Sequence, residues 1–423
     1  MVLYKNISLE QCKVVPPSLS GWAYAISLHG LLCLAGGVPC GILLYYCNAV
    51  RTKQQRTANA SAEGGGGGGI LRKTIGVVVG IAAAASMCIL RPVIESHAPN
   101  PDIVFFGPFV ACSFGFATFF KSCNAAFSNY PEGADKDLKT WLLWFTMLPE
   151  PAFSKGKLRG GASRNEVLSK LRDFVGKILA LCFLLTLLIP RSPGYELMDA
   201  SQDDIGDGGG GGDGIALGWL QNLMALHVNG FVHLWLLYSF ASFCLDFSTL
   251  TNYILSSGLS MEPAFCNPLL ESRSFTETWG TRWNRPVNLL LKRTVYVPAM
   301  KSGHFGRTMA AVLTFLASGL LHEYNFSIHN HRSISSDTPG GYRHGEITVF
   351  FLVMGFLMVV ESHAFRSLPN RFQNILRGIP SVVTASMLTF LVAGISERYF
   401  LRPWIRSGFL ETVAQMLPHL DCQ

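Results

Sequence analysis

The sequence predicts an all-α, polytopic integral membrane protein with about eight, and at most ten, transmembrane helices. Two kinds of observation lead there. Of 423 residues, 49% are hydrophobic and only 14% charged, whereas soluble domains typically carry about 25% charged residues. Mean hydropathy is +0.31, and the apolar residues recur in runs of about 20, the length a helix needs to cross a ~30 Å hydrocarbon core.

In chain order the expected spans are 21–46, 71–90, 103–120, 174–190, 216–247, 308–328, 346–363 and 379–400. Residues 1–20 are polar, carry Pro16 and Pro17, and lack the short leading apolar region of a cleaved signal peptide. The run 21–46 is long enough for a signal anchor. The fifth run is too long for one straight span, and Asn229-Gly230 is the expected break. Trp141 to Leu148 is too short to cross and reads as interfacial or re-entrant. Gly64 to Gly69 and Gly206 to Gly214 read as flexible linkers, with no Lys and Ser/Thr set to make a phosphate loop. The chain then divides into a lumenal N-terminus (1–20), N-terminal helices (21–250), a motif-bearing region (260–330) and C-terminal helices with a tail (331–423).

Loop charge gives orientation. Segments 47–73, 121–173, 248–307 and 364–378 are basic, while 191–215 carries Glu196, Asp199, Asp203, Asp204, Asp207 and Asp213. Basic loops favour the cytosol, so both chain ends are expected in the lumen. The net charge of +7 sits in these loops without a basic and aromatic platform, so no nucleic-acid partner is expected. The eleven cysteines are scattered, several inside apolar runs (Cys33, Cys88, Cys182, Cys244), and read as small hydrophobes. Glu361, His363 and Asp246 read as residues at span boundaries.

The run from Thr308 to Ile328 is the exception among the spans, because it contains His322 and Glu323. An acidic residue at the centre of a membrane helix costs about 2.5–3.5 kcal/mol on insertion scales, and histidine titrates near neutrality. Thr314, Ser318, His322 and Asn325 follow helical spacing and form one polar stripe. Counted from Thr308, His322 lies about 21 Å along the helix, past the middle of the core. Glu323 points roughly 100° away and needs a partner from another helix, or stays protonated. Metal centres are not indicated: position 326 is Phe, which excludes a HExxH zinc site, and the histidines lack desaturase clustering.

Upstream lie Asn267-Pro268-Leu269-Leu270 and then Thr276 to Val287. Thr276 is placed to cap a short helix there. Trp279 and Trp283 stand four apart and share a helical face. Arg282, Arg285, Lys292 and Arg293 add positive charge.

Together these blocks resemble the membrane-bound O-acyltransferase superfamily, in its wax synthase branch. The resemblance rests on Asn-Pro-Leu-Leu, Trp279-Gly280-x-Arg282-Trp283-Asn284, Thr294-Val295-Tyr296-x-Pro298 and Ser318-Gly319-x-x-His322-Glu323, over roughly residues 260–330. Thr278 and Thr281 stand where that branch usually has Phe and Arg. Trp283 to Val287 and His322-Glu323-Tyr324 are also similar to sterol and diacylglycerol acyltransferases, which widens the range of acceptors. The resemblance implies a helical bundle of that superfamily in the endoplasmic reticulum and transfer of an acyl group from acyl-CoA to a hydrophobic alcohol, most simply a fatty alcohol. No cofactor or metal is implied beyond the acyl-CoA co-substrate, and membrane lipids and a second copy of the chain are the other partners considered.

The resemblance also implies that His322 and Asn284 are the two signature polar residues. His322 would be the general base and Asn284 would position the thioester or the histidine, or donate to the oxyanion. The basic segment 248–307 suits the phosphates of coenzyme A. Ser318, Glu323, Asn325, Trp279, Arg282 and Trp283 are the supporting residues. A reading from another class is a transporter or channel with a His322-Glu323 proton relay, although the two halves of the chain carry no matching broken helices.

Overall fold

A computed structural model of the chain describes residues 12–58, 67–97, 106–189, 212–329, 343–406 and 409–422. Most of the acidic segment 191–215, the linker glycines 64–66 and 206–211, and residues 1–11 lie outside them. Gly67 to Gly69 and Gly212 to Gly214 are not linkers but the first turns of helices.

The N-terminal half begins with β1 (Cys12–Val15), followed by α1 (Leu19–Leu32), which runs through a π-helical turn at Cys33–Gly37 into α2 (Val38–Ala58). Ser18 caps α1, its hydroxyl accepting from the Gly21 amide at 3.2 Å. Next come α3 (Gly67–Ser96) and α4 (Phe106–Ala126), packed closely along their length. A Cβ on Gly76 would meet Ala126 at 2.5 Å, and one on Gly80 would meet Phe119 at 3.1 Å. Small residues one turn apart thus let the two backbones approach, as membrane helices require.

The expected interfacial segment is α5 (Leu138–Thr146), capped by Asp137. Buried Lys121 of α4 donates to the Trp144 and Met147 carbonyls and so closes the C-terminal end of α5. A hairpin of β2 (Phe153–Ser154) and β3 (Lys157–Leu158) leads to α6 (Arg164–Leu188) and α7 (Gly212–Leu255). Here the structure corrects the sequence reading, because α7 is one continuous helix through Asn229-Gly230. Gly230 is spent on close packing: a Cβ there would fall 2.2 Å from the Ala393 carbonyl oxygen. Asp246 is likewise no boundary residue. It is buried within α7 and paired with Lys170, at 3.1 Å, and Lys177 of α6.

The motif region is a chain of short helices, α8 (Pro268–Glu271), α9 (Phe275–Glu277), α10 (Arg285–Leu291) and α11 (Val297–Lys301), broken by π-helical turns at Thr278–Arg282 and Lys292–Tyr296. It leads into α12 (Arg307–His329). Beyond lie α13 (Glu346–Ser367), α14 (Asn370–Gly378) and α15 (Ser381–Ser396). A π-helical turn at Glu397–Leu401 follows, then α16 (Arg402–Arg406), α17 (Phe409–Met416) and β4 (His419–Cys422). β4 pairs antiparallel with β1, Val15 opposite His419, and ties the two ends together.

Over their described residues all eight expected runs are helical, the last of them from Ser381 onward, but fewer pass as spans. Four helices among the described residues are long and apolar enough to cross a membrane, or five if α14 and α15 form one broken span. α6 has the length, but it carries Lys170, Arg172, Asp173 and Lys177. α12, at 23 residues, has the length too, but His322, Glu323 and Asn325 lower its apolar character. The main core gathers Leu181, Leu185, Leu236, Phe240, Phe326, Phe350 and Leu410 from α6, α7, α12, α13 and α17, and it is against this core that α12 presents His322.

Candidate active site

His322 is held by its own helix and by two aromatic rings. Its Nδ1 lies 2.7 Å from the Ser318 carbonyl oxygen. A carbonyl only accepts, so Nδ1 carries the proton and donates, and Nε2 presents a free lone pair. The ring stacks on Phe351 of α13 at 4.4 Å and meets Phe400 edge-on at 5.7 Å. Phe400 is itself stacked on Phe350 at 5.1 Å.

Trp279 extends this wall. Its ring lies 6.3 Å from Phe315 and from Phe351, 6.4 Å from Phe350 and 5.5 Å from Trp283. The expected shared face of the two tryptophans is therefore present, bent through the π-helical turn. Trp283 packs on Phe265 and Tyr238 of α7. Among the described residues, two polar atoms of the expected site residues are buried without a partner, Trp279 Nε1 and Asn325 Oδ1. A buried donor or acceptor left unmade costs about 1–3 kcal/mol, which a ligand reaching these atoms would recover. Ser318 is buried, and its carbonyl, rather than its hydroxyl, is what engages His322.

The other expected residues sit as follows. Asn284 is the N-cap position of α10, in the left-handed region at φ 35°, a conformation Asn tolerates better than most side chains. Among the described residues no hydrogen bond joins Asn284 to His322. Glu323 has the partner from another helix that its position demanded. Its carboxylate accepts from the Gly345 amide at 2.7 Å and from the Thr348 amide and hydroxyl at 3.2 Å each. It therefore caps the start of α13 and faces away from His322. A His322-Glu323 relay is not what this geometry builds.

Arg282 is committed inside the motif segment, to Glu271 at 2.7 Å, Glu277 at 2.7 Å and the Cys266 carbonyl at 2.8 Å. Hydrogen bonds from Asn267 and Arg282 in turn hold the Glu271 carboxyl below the usual carboxylate range. Arg285 pairs with Glu262 and Arg293 with Glu150. Of the four basic residues counted towards coenzyme A, Lys292 alone is exposed and makes no ion pair among the described residues.

Sequence reasoning missed three supports. Ser274, not Thr276, caps α9 with its hydroxyl, 2.9 Å from the Glu277 amide. Glu361 of α13 adds its carboxylate there, accepting from the Phe275 and Thr276 amides at 2.8 and 3.1 Å. It is a strut between α13 and the tryptophan segment rather than a boundary charge. The third is a buried pair, His233 of α7 with Glu397 at 2.8 Å, just before Phe400. The only sequence signal for it was the rarity of ionisable residues in apolar runs. Among the described residues no group of three His, Cys, Asp or Glu could hold a metal ion.

Fold and site define an all-α membrane protein whose candidate active site is an oriented histidine in an aromatic cleft. Residues 220–328 match the family model for MBOAT, the membrane-bound O-acyltransferase family. The chain is 30% identical over 166 residues to the probable long-chain-alcohol O-fatty-acyltransferase 3 of Arabidopsis thaliana, covering 38% of this chain and 44% of that one. It is 34% identical over 119 residues to the probable long-chain-alcohol O-fatty-acyltransferase 6, covering 27% and 32%. An Arabidopsis thaliana acyl-CoA–sterol O-acyltransferase 1 is 31% identical over 142 residues, covering 32% and 37%. The match spans less than half the length of each of these relatives. The resemblance read from the motifs, to this superfamily and its wax synthase branch, is borne out over that region.

Proposed function

We propose that the protein is an acyl-CoA-dependent O-acyltransferase that esterifies a long-chain alcohol, with His322 as general base. The observation that carries the reading is the orientation of His322, with Nδ1–H fixed on Ser318 and Nε2 free between aromatic walls. The alcohol O–H gives its proton to Nε2 as the oxygen attacks the thioester carbonyl. The C–S bond then breaks, and the departing sulfur takes the proton back from Nε2. Such base assistance is typically worth about 10²–10⁴ in rate. The unpartnered Trp279 Nε1 supports a role in holding a substrate oxygen, and Asn284 is the companion residue by resemblance. The Phe350, Phe351 and Phe400 rings exclude water, which would otherwise hydrolyse the thioester.

Eight crossings with both ends in the lumen of the endoplasmic reticulum is the topology we favour. The β1–β4 ladder supports it, because paired ends on one side of a membrane require an even number of crossings. A sterol acceptor is the second reading, favoured by the named sterol acyltransferase among the relatives.

The test uses a host without neutral-lipid acyltransferases, fed fatty alcohol, sterol or diglyceride in separate cultures. Wax ester is the expected product. His322→Ala at matched protein level is expected to remove at least about 10² of the rate. Substantial remaining ester synthesis would overturn the base assignment, and no new ester from any acceptor would overturn the function.

A further inference from the structure

α14 stands apart from the bundle in a way the acyl transfer does not use. All but one of its nine residues are exposed. Pro369 and Pro380 bound it, and it meets the following helix at 96°. With α15 standing across the membrane, a helix at right angles to it lies along the membrane plane.

Its faces are sharply divided. Phe372, Ile375 and Leu376 are 55%, 57% and 45% exposed. At 100° per residue they fall within an arc of about 100°. Arg371 flanks that arc, Arg377 lies on the opposite, polar side, and Arg366 stands just before the helix. All three arginines are exposed, and none makes an ion pair with a carboxylate among the described residues. The Arg377 guanidinium rests 5.5 Å over the Phe365 ring. From Ser362 to Ser396 the chain has no Asp or Glu, so this positive charge is unopposed. A short amphipathic helix with an apolar face and a cationic rim is the arrangement that lies in a lipid headgroup layer. Basic residues there gain from the anionic lipids of the cytosolic leaflet, the side the loop charges assign to 364–378.

We infer that α14 is a membrane-surface helix that binds anionic phospholipid headgroups through Arg366, Arg371 and Arg377, with Phe372, Ile375 and Leu376 sunk among the acyl chains. The inference is independent of the acyl-transfer reading.

The experiment measures amide hydrogen exchange of residues 368–379 in the full-length protein, one copy per nanodisc, in phosphatidylcholine alone or with added phosphatidylserine. Exchange is expected to be slower with phosphatidylserine, by up to about fivefold for each arginine engaged. The slowing should largely disappear in the double variant Arg371→Gln with Arg377→Gln. Both side chains are exposed, and the contact of Arg377 with α13 is at Phe365 in its last turn, so residues 346–360 should exchange as in the wild type, which checks the fold. Equal exchange in the two bilayers would overturn the inference. So would the same slowing in the double variant, or protection produced by inorganic phosphate in phosphatidylcholine discs. Protection that appears only with two copies per disc would assign the face to self-association and overturn it as well.

Discussion

Gly230 offers a direct handle on how the bundle holds His322. Gly230→Ala would place a Cβ 2.2 Å from the Ala393 oxygen, 2.7 Å from its carbonyl carbon and 2.9 Å from Glu397 Cβ. Carbon atoms settle at about 3.5–4.0 Å, so α15 has to retreat from α7 by about 1 Å. Overpacking of this kind costs about 1–3 kcal/mol, offset in part by the roughly 1 kcal/mol helix preference of Ala over Gly. The displaced backbone leads straight into the turn bearing Phe400, whose ring lies 5.7 Å from that of His322. A misplacement of about 1 Å at a catalytic group can cost about 10² in rate. The expected outcome is therefore a large loss of ester synthesis with a small fall in thermal midpoint. The assay is ester formation from acyl-CoA and fatty alcohol at matched protein level, with the midpoint measured in detergent. Gly176→Ala on α6, where an added Cβ meets nothing within 4 Å, is the control. Wild-type activity and midpoint in Gly230→Ala would refute the coupling of α7, α15 and His322.

Three further outcomes follow from the geometry. Glu323→Ala should lower the thermal midpoint, since losing a helix cap costs about 0.5–2 kcal/mol, while Glu323→Gln should retain most activity; an inactive but stable Gln variant would return Glu323 to the chemistry. His233→Ala removes the partner of the Glu397 carboxylate at 2.8 Å and leaves it Arg402 at 3.5 Å, so the loss should fall short of the about 3–5 kcal/mol of a fully broken buried pair, and His233→Gln should recover part of the midpoint by restoring a donor. Asp137 is held below the usual carboxylate range, first by the Thr140 amide; its contribution is present above about pH 4 and is lost as pH falls through its lower folded value. The acid side of the midpoint–pH curve should therefore be flatter in Asp137→Asn than in the wild type.

The helices were legible because a run of about 20 apolar residues has few alternatives, and each such run is helical where its residues are described. Where they end was less so. Asn229-Gly230 reads as a break in one dimension, but the glycine serves a neighbour more than 160 residues away, which no local pattern records. The polar stripe of α12 was legible from its spacing, and it correctly set His322 apart from Glu323. What Glu323 faces was not, since its donors come from the start of α13, 22 and 25 residues further along the chain. The arginines of the motif segment were misjudged for a related reason: charge can be counted from sequence, but Glu262, Glu271, Glu277 and Glu150 consume most of it only once folded. Phe351 and Phe400, which wall His322, look like any other phenylalanine in an apolar run.

The hydrogen bond from His322 to Ser318 has a kinetic consequence. With Nδ1 occupied, a proton taken up at Nε2 has no exit along the helix and leaves by the atom through which it entered. On the proposed chemistry the alcohol and the departing sulfur must use that one atom in turn, within a single turnover. Both substrates then have to be seated before any bond changes. On that proposal the order of events is a ternary complex and a direct transfer, with the imidazole returned to its starting state as the departing sulfur takes up the proton.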